Sequence, residues 1–125
     1  MNNPKELKYT KTHEWVKEED GLFVVGLTDF AQDALGDIVF LNLPLVGDEV
    51  TAGEVFGDVE SVKAVSDVYS PVTGKVAAVN DELLENTAMI NEDCYNAWLI
   101  KVEDVTGTEE LLDAEAYEEV CANEA

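Results

Sequence analysis

Arginine is absent from this 125-residue chain, and seven lysines face 28 acidic residues. The formal net charge is -21. A surface this acidic argues against nucleic acid or anionic membrane as a partner, because both need their phosphates neutralised. It suits a chain that meets basic patches on other proteins. Cysteine is scarce: Cys94 and Cys121 are the only two, no CxxC occurs, and no zinc spacing is present. Two thiols in a chain long enough for its own core read as reduced residues in a reducing compartment. The single histidine, His13, rules out a His-rich metal centre. No nucleophile clusters near it to form a triad. Dinucleotide, P-loop, nucleophile-elbow and EF-hand patterns are all missing. No catalytic residue and no metal site are therefore expected. No apolar run reaches the length of a membrane helix. The opening MNNPKELKYT has neither a signal-peptide core nor an Arg-rich transit character. The expectation is a bacterial cytoplasmic location, or the mitochondrial matrix for a trimmed mature form.

Apolar residues make up 46% of the chain, enough for one folded domain spanning 1–125. Short β-type runs alternate with Gly and Pro turns. Strands are expected over 12–16, 22–27, 38–43, 55–59, 65–69, 75–79 and 98–102, with a short one starting near 49–50. Thr28 is placed to cap a helix DFAQDAL that ends before Gly36. A brief helix is expected over ELLE at 82–85. From Thr108 apolar residues recur with helical spacing, predicting a C-terminal helix over about 108–122. The fold class is mostly β, a small sandwich or flattened barrel with peripheral helices and a C-terminal helix.

Among so few basic residues, one stands between two strands: Lys63 in GDVESVKAVSDVYSP. A hairpin-tip lysine is ordinarily a solvated residue that also discourages edge pairing. This tip is unusual, because Ser61-Val62-Lys63-Ala64-Val65 has no Gly or Asn to accept positive φ. Glu60 precedes the lysine by three and Asp67 follows it by four. An amine on a flexible four-carbon stem is what an acylating enzyme can use to attach a long arm. The stretches flanking Lys63 share a weak turn-strand grammar, as two related halves would.

ESVKA followed by SDVYSPVTG closely resembles the lipoyl-lysine hairpin of the glycine cleavage H-protein family. KYTKTHEWV, GLTDFAQDALGDIVFLNLP, VGDEVTAGEVFG and LLDAEAYEE resemble the same family, in the same order and over nearly the whole chain. The resemblance implies a lipoyl/biotinyl barrel-sandwich hybrid, or hammerhead, with its core over about 22–104. It implies a non-catalytic carrier with one lipoic acid joined by an amide to Lys63. It also implies an aminomethyl group taken from glycine decarboxylase (P protein) and passed to aminomethyltransferase (T protein). Dihydrolipoyl dehydrogenase (L protein) then reoxidises the arm. A lipoate ligase or octanoyltransferase would install it, and the chain would be a monomer that meets these partners transiently.

The resemblance further places Thr12, Glu14 and Asp67 in a cleft that shelters the loaded arm, with the two carboxylates pairing with its cationic amine. Glu60 is expected to help the lipoylating enzyme recognise the hairpin. His13 and Trp15 read as structural. Lys75, in TGKV, is the one plausible decoy acceptor and reads as a surface lysine. The chain departs from the family over Asn91–Trp98, where a glycine before the tryptophan is replaced. Asn96 is expected to take a left-handed conformation there, and Cys94 is a candidate free thiol. A 2-oxo acid dehydrogenase lipoyl domain would carry an acidic residue directly before the lysine. A biotin carrier would carry methionines beside it. An unmodified relative, or one that relays lipoyl groups between proteins, is the remaining alternative.

Overall fold

A computed structural model describes residues 2–124. Its nine strands are β1 (Lys8–Tyr9), β2 (Glu14–Glu19), β3 (Leu22–Leu27), β4 (Ile38–Asn42), β5 (Glu49–Val50), β6 (Val55–Ser61), β7 (Val65–Tyr69), β8 (Val72–Val79) and β9 (Ile100–Thr108). Four helices accompany them: α1 (Asp29–Leu35), α2 (Asp81–Glu85), α3 (Ala88–Glu92) and α4 (Ala114–Glu124). Every strand pairing is antiparallel. One sheet runs β1-β2-β3-β9-β8-β5, the other β4-β6-β7.

The two sheets close over a core of Val16, Val25, Leu27, Ile38, Leu41, Val59, Val68, Val76, Leu99, Ile100 and Val102. Period-2 alternation supplies these residues: Leu41 and Val59 point inward while Phe40 and Glu60 point out. A second cluster joins Tyr9, Trp15, Val24, Ala114, Tyr117 and Cys121. It glues α4 to the β1-β2 edge, with the Tyr9 and Tyr117 rings stacked 4.7 Å apart.

Local chemistry explains most boundaries. Asp20 and Gly21 both take positive φ, the pairing that a tight β2–β3 hairpin demands. Thr28 Oγ1 accepts a hydrogen bond from the Ala31 backbone N–H, capping α1, and Gly36 ends that helix at φ 82°.

Four expectations need correction. The strand expected over 75–79 is longer, and β8 begins at Val72. Gly74 belongs to the strand because a Cβ there would lie 2.6 Å from the Glu103 carbonyl oxygen, at a bulge where two backbones meet. The last strand starts at Ile100 and runs to Thr108, not over 98–102. Its second half lacks an apolar run, but it pairs with Val72 and Thr73. The C-terminal helix starts at Ala114, not Thr108. Leu112 instead bridges to Tyr9, exchanging two backbone hydrogen bonds of 2.8 and 2.7 Å. Asp113 then receives the Ala116 N–H on its carboxylate. Finally, Asn96 does not take positive φ. Its backbone and side-chain N–H groups both donate to Asp93, which closes the turn without a left-handed residue.

Trp15 lies across Gly26, its register partner on β3. A Cβ at Gly26 would sit 2.5 Å from the indole carbons, and the indole N–H is already committed to the Cys94 carbonyl at 3.1 Å. Gly26→Ala is expected to destabilise the fold by about 1–3 kcal/mol through overpacking of a rigid buried ring. Urea titration checks it; an unchanged midpoint would mean that the ring has room to move.

Candidate functional site

Lys63 stands exposed in the connection between β6 and β7. Ser61 explains why this tip needs no glycine. Its Oγ accepts the backbone N–H groups of Lys63 (3.2 Å) and Ala64 (3.1 Å), and its own N–H donates to the Ala64 carbonyl at 2.8 Å. A hydroxyl that satisfies the turn's donors lets Val62 and Lys63 keep negative φ. The tip is also braced from its β4 side. The Val62 N–H donates to the Asp37 carbonyl at 3.1 Å. The Lys63 stem lies over Gly36, where an added Cβ would fall 3.0 Å from Cε. Asn91 holds that corner: its amide donates to the Gly36 carbonyl (2.8 Å) and accepts the Ile38 N–H (3.0 Å). Part of the 91–98 segment therefore supports the lysine hairpin indirectly.

Thr12, Glu14 and Asp67, far apart in sequence, line one cleft of about 190 Å³. It runs between α1, through Phe30, Ala31 and Leu35, and the β6–β7 hairpin, through Val59 and Ser66. A larger concavity of about 400 Å³ shares only Thr12 with it and holds neither carboxylate.

Glu14 is the unusual group. It is 1% exposed, yet no lysine or histidine nitrogen lies within 4 Å of it among the described residues. Thr10 Oγ1 donates to Oε1 at 2.6 Å, Thr12 Oγ1 donates to the same oxygen, and the Tyr69 backbone N–H donates to Oε2 at 3.2 Å. Burial pushes its pKa from 4.5 up to about 7, and these hydrogen bonds hold it back from rising further. Glu14 is thus a desolvated carboxylate near its titration point with no lysine or histidine beside it among the described residues. Asp67 is exposed and sits directly opposite Asp58 across β6–β7. Like charges in such register repel, and a cation beside them would offset that cost.

Composition and motif reading missed three contributors. Thr10 was not singled out, because a turn over residues 11–13, with His13 at φ 74°, is what folds Thr10 and Thr12 onto Glu14. The Tyr69 contribution is a backbone N–H and leaves no trace in residue type. His13 is more than packing: it lines the cleft, stacks on Phe30 at 4.6 Å, and shares a 2.7 Å hydrogen bond with the Tyr117 hydroxyl. That hydroxyl also pairs with Thr28 Oγ1 at 2.6 Å, and His13 Nε2 lies 2.9 Å from a Glu124 carboxylate oxygen. The network ties α4 to the cleft wall.

Glu60 is partly exposed, between Phe40 and Val65 in the sheet register. Lys75 is exposed within β8, flanked in register by Glu49 and Glu103. It sits on a sheet surface and not at a tip. Cys94 is buried, and burial pushes its thiol up to about 12, so it stays protonated and unreactive at neutral pH. No group of three or more potential metal ligands occurs among the described residues. No helix among them is long and apolar enough to cross a membrane.

Two antiparallel sheets closed on each other, with a lysine on a braced hairpin tip, define a barrel-sandwich carrier domain. The comparisons agree and go further. The profile of the glycine cleavage H-protein family matches residues 7–124. A glycine cleavage system H protein from Carboxydothermus hydrogenoformans is 53% identical over 124 residues, covering 97% of this chain and 95% of that protein. One from Lachnoclostridium phytofermentans is 56% identical over 119 residues, covering 94% of each. The crystal structure of the H protein from Mycobacterium marinum superposes with a TM-score of 0.89 at 41% identity, over 98% of this chain and 99% of that one. The chain belongs to the glycine cleavage H-protein family. It is a lipoyl carrier component of glycine cleavage and not an enzyme.

Proposed function

We propose that Lys63 carries one lipoyl group through an amide, and that the Thr12–Glu14–Asp67 cleft shelters the far end of that arm. The observation that carries the cleft assignment is Glu14: a buried carboxylate with three donors and, among the described residues, no lysine or histidine partner, on the wall of a cleft bounded by the lysine hairpin. The residues fit the group. The tip leaves the lysine amine exposed, Ser61 and Asp37 fix the mount, and amide formation removes the lysine charge. Held by Lys63, lipoate would supply a redox-active disulfide as the acceptor for an aminomethyl group, and its partners would be glycine decarboxylase, aminomethyltransferase and dihydrolipoyl dehydrogenase.

The protein's own residues do the rest. The braced tip limits the volume the arm sweeps, which raises the effective concentration of its end at each partner. Glu14 and Asp67 provide counter-charge for an amine entering the cleft. Phe30, Ala31, Leu35 and Val59 give the cleft apolar walls that keep water scarce. Glu60, three residues before the lysine, contributes to recognition by a lipoate ligase or octanoyltransferase. The chain works as a monomer in the bacterial cytoplasm, meeting each enzyme transiently. A further role in relaying lipoyl groups to other proteins would use the same lysine.

The test is isotope exchange between bicarbonate and the glycine carboxyl group by a glycine decarboxylase. Exchange should depend on adding the lipoylated chain. A decarboxylase that gains nothing from it would overturn the reading.

A further inference from the structure

We infer that the outer face of the β4-β6-β7 sheet is the docking surface for the enzyme that acylates Lys63, and that this enzyme presents an apolar contact rimmed by basic side chains. The inference rests on the carrier reading above and adds a surface to it. Leu41, Val59 and Val68 turn into the core, so strand alternation puts Phe40, Glu60 and Val65 on the outer face. The register sets these three side by side as one cross-strand row. Phe40 is 50% exposed and Val65 65%, and Val62, next to the lysine, is 67% exposed. Val39 is exposed too, at the bulge between Ile38 and Phe40. Apolar surface gathered at one spot of so acidic a chain calls for a partner.

The approach geometry favours this face. On the β4 flank of the tip, Asp37 holds the Val62 N–H as the next rung of the β4–β6 ladder and Gly36 lies under the Lys63 stem, so the α1–β4 corner closes that flank. An enzyme working on Nζ has to cover the tip itself, and the outer face is the open route. Enzymes that act on the distal end of a long arm have no such need. In the step itself, the unprotonated Nζ attacks the carbonyl carbon of an activated acyl donor. The new C–N bond forms as the bond to the donor's leaving group breaks, and the amine gives up a proton. The carboxylates set the partner's charge. Glu60 lies within the apolar row, and Asp58 lies in the next row between Asn42, whose amide donates to it at 2.8 Å, and the cleft-lining Asp67 of the edge strand. Neither has a lysine or histidine within 4 Å among the described residues. Both are open to basic groups from outside.

The experiment measures initial acylation rates by a lipoate–protein ligase with ATP and lipoate, over a range of unmodified-chain concentrations. Val65→Ser alone and with Phe40→Ala is compared with the wild-type chain and with Leu45→Ser, which changes an exposed apolar residue in the loop beyond the far end of β4. Circular dichroism melts check that each variant folds; Val65→Ser, at a mostly exposed position, serves if the double variant does not. The expected result is a KM raised about tenfold in the Val65 and Phe40 variants with kcat little changed, and no change for Leu45→Ser. Wild-type chain acylated at Lys63, with variants of unchanged KM, would overturn this inference alone. An equal loss in Leu45→Ser would overturn it too, by showing a nonspecific apolar effect. Wild-type chain that accepts no acyl group would overturn the carrier reading and the docking face together.

Discussion

Lys63→Arg is expected to fold normally and to bring decarboxylase-dependent exchange down to the background without carrier. The side chain is exposed, and the hydrogen bonds at the tip use the Lys63 backbone and the Ser61 hydroxyl, which the substitution leaves in place. Charge is conserved, but chemistry is not. A lysine amine sheds its proton readily enough to attack an activated acyl group, whereas a guanidinium stays protonated and delocalised and is no nucleophile. The effect is expected to be complete because the arm is assigned to the β6–β7 tip alone: Lys75 lies mid-strand between two glutamates in register, and Lys11, exposed in the β1–β2 turn, lies outside that tip. Exchange assays with a circular dichroism control read it directly. Residual activity well above background would place the arm elsewhere.

The second large effect belongs to Glu14, and it acts on stability and function in opposite directions. Burial raises its pKa from 4.5 to about 7, so the folded state holds the proton more tightly than the unfolded chain does. The stabilisation from that proton is complete below the unfolded value and is lost as pH rises through about 7. The shift corresponds to roughly 3 kcal/mol between the two limits. Glu14→Gln removes this titration. The variant should therefore gain on the wild type by about that amount between about pH 5 and about pH 8, less a constant penalty for setting an amide against the Tyr69 N–H. Urea titrations at several pH values test it, and a stability difference that does not move with pH would contradict the assignment. The same variant loses its counter-charge for a cationic amine. The lifetime of the loaded carrier should fall about tenfold or more, the scale of one charge-assisted hydrogen bond. In the wild type, protection should weaken as pH falls below about 7, with a midpoint that the bound cationic amine pulls lower, because a neutral Glu14 no longer attracts the amine. A destabilised group kept in a cleft fits a site under functional demand.

The parts of the architecture written in turn chemistry were legible in the sequence. Thr28 and Gly36 fixed α1 at both ends, and Pro and Gly punctuation located most of the inner strands. What escaped was pairing that depends on distant partners. Leu111 and Leu112 carry helical periodicity, but Tyr9 recruits Leu112 into a bridge. Thr73 and Gly74 look like a turn until β9 runs alongside them. Helix α3 has no side-chain cap to announce it. The site shows the same division. Lys63 is conspicuous as a rare cation in an acidic chain, but composition and spacing leave Glu14 an ordinary carboxylate. Its role becomes physical only when Thr10, Thr12 and the Tyr69 backbone N–H close round it. Asp67 joins it from the edge strand of the other sheet, a proximity that no local pattern encodes.

The most direct measurement is intact mass with peptide mapping on the chain produced in a lipoylation-competent host supplied with lipoate. The expected result is one lipoyl increment per chain, confined to the peptide containing Lys63 and leaving Lys75 unmodified. An unmodified chain, or an increment mapped to any other lysine, would contradict the assignment of the β6–β7 tip as the carrier site.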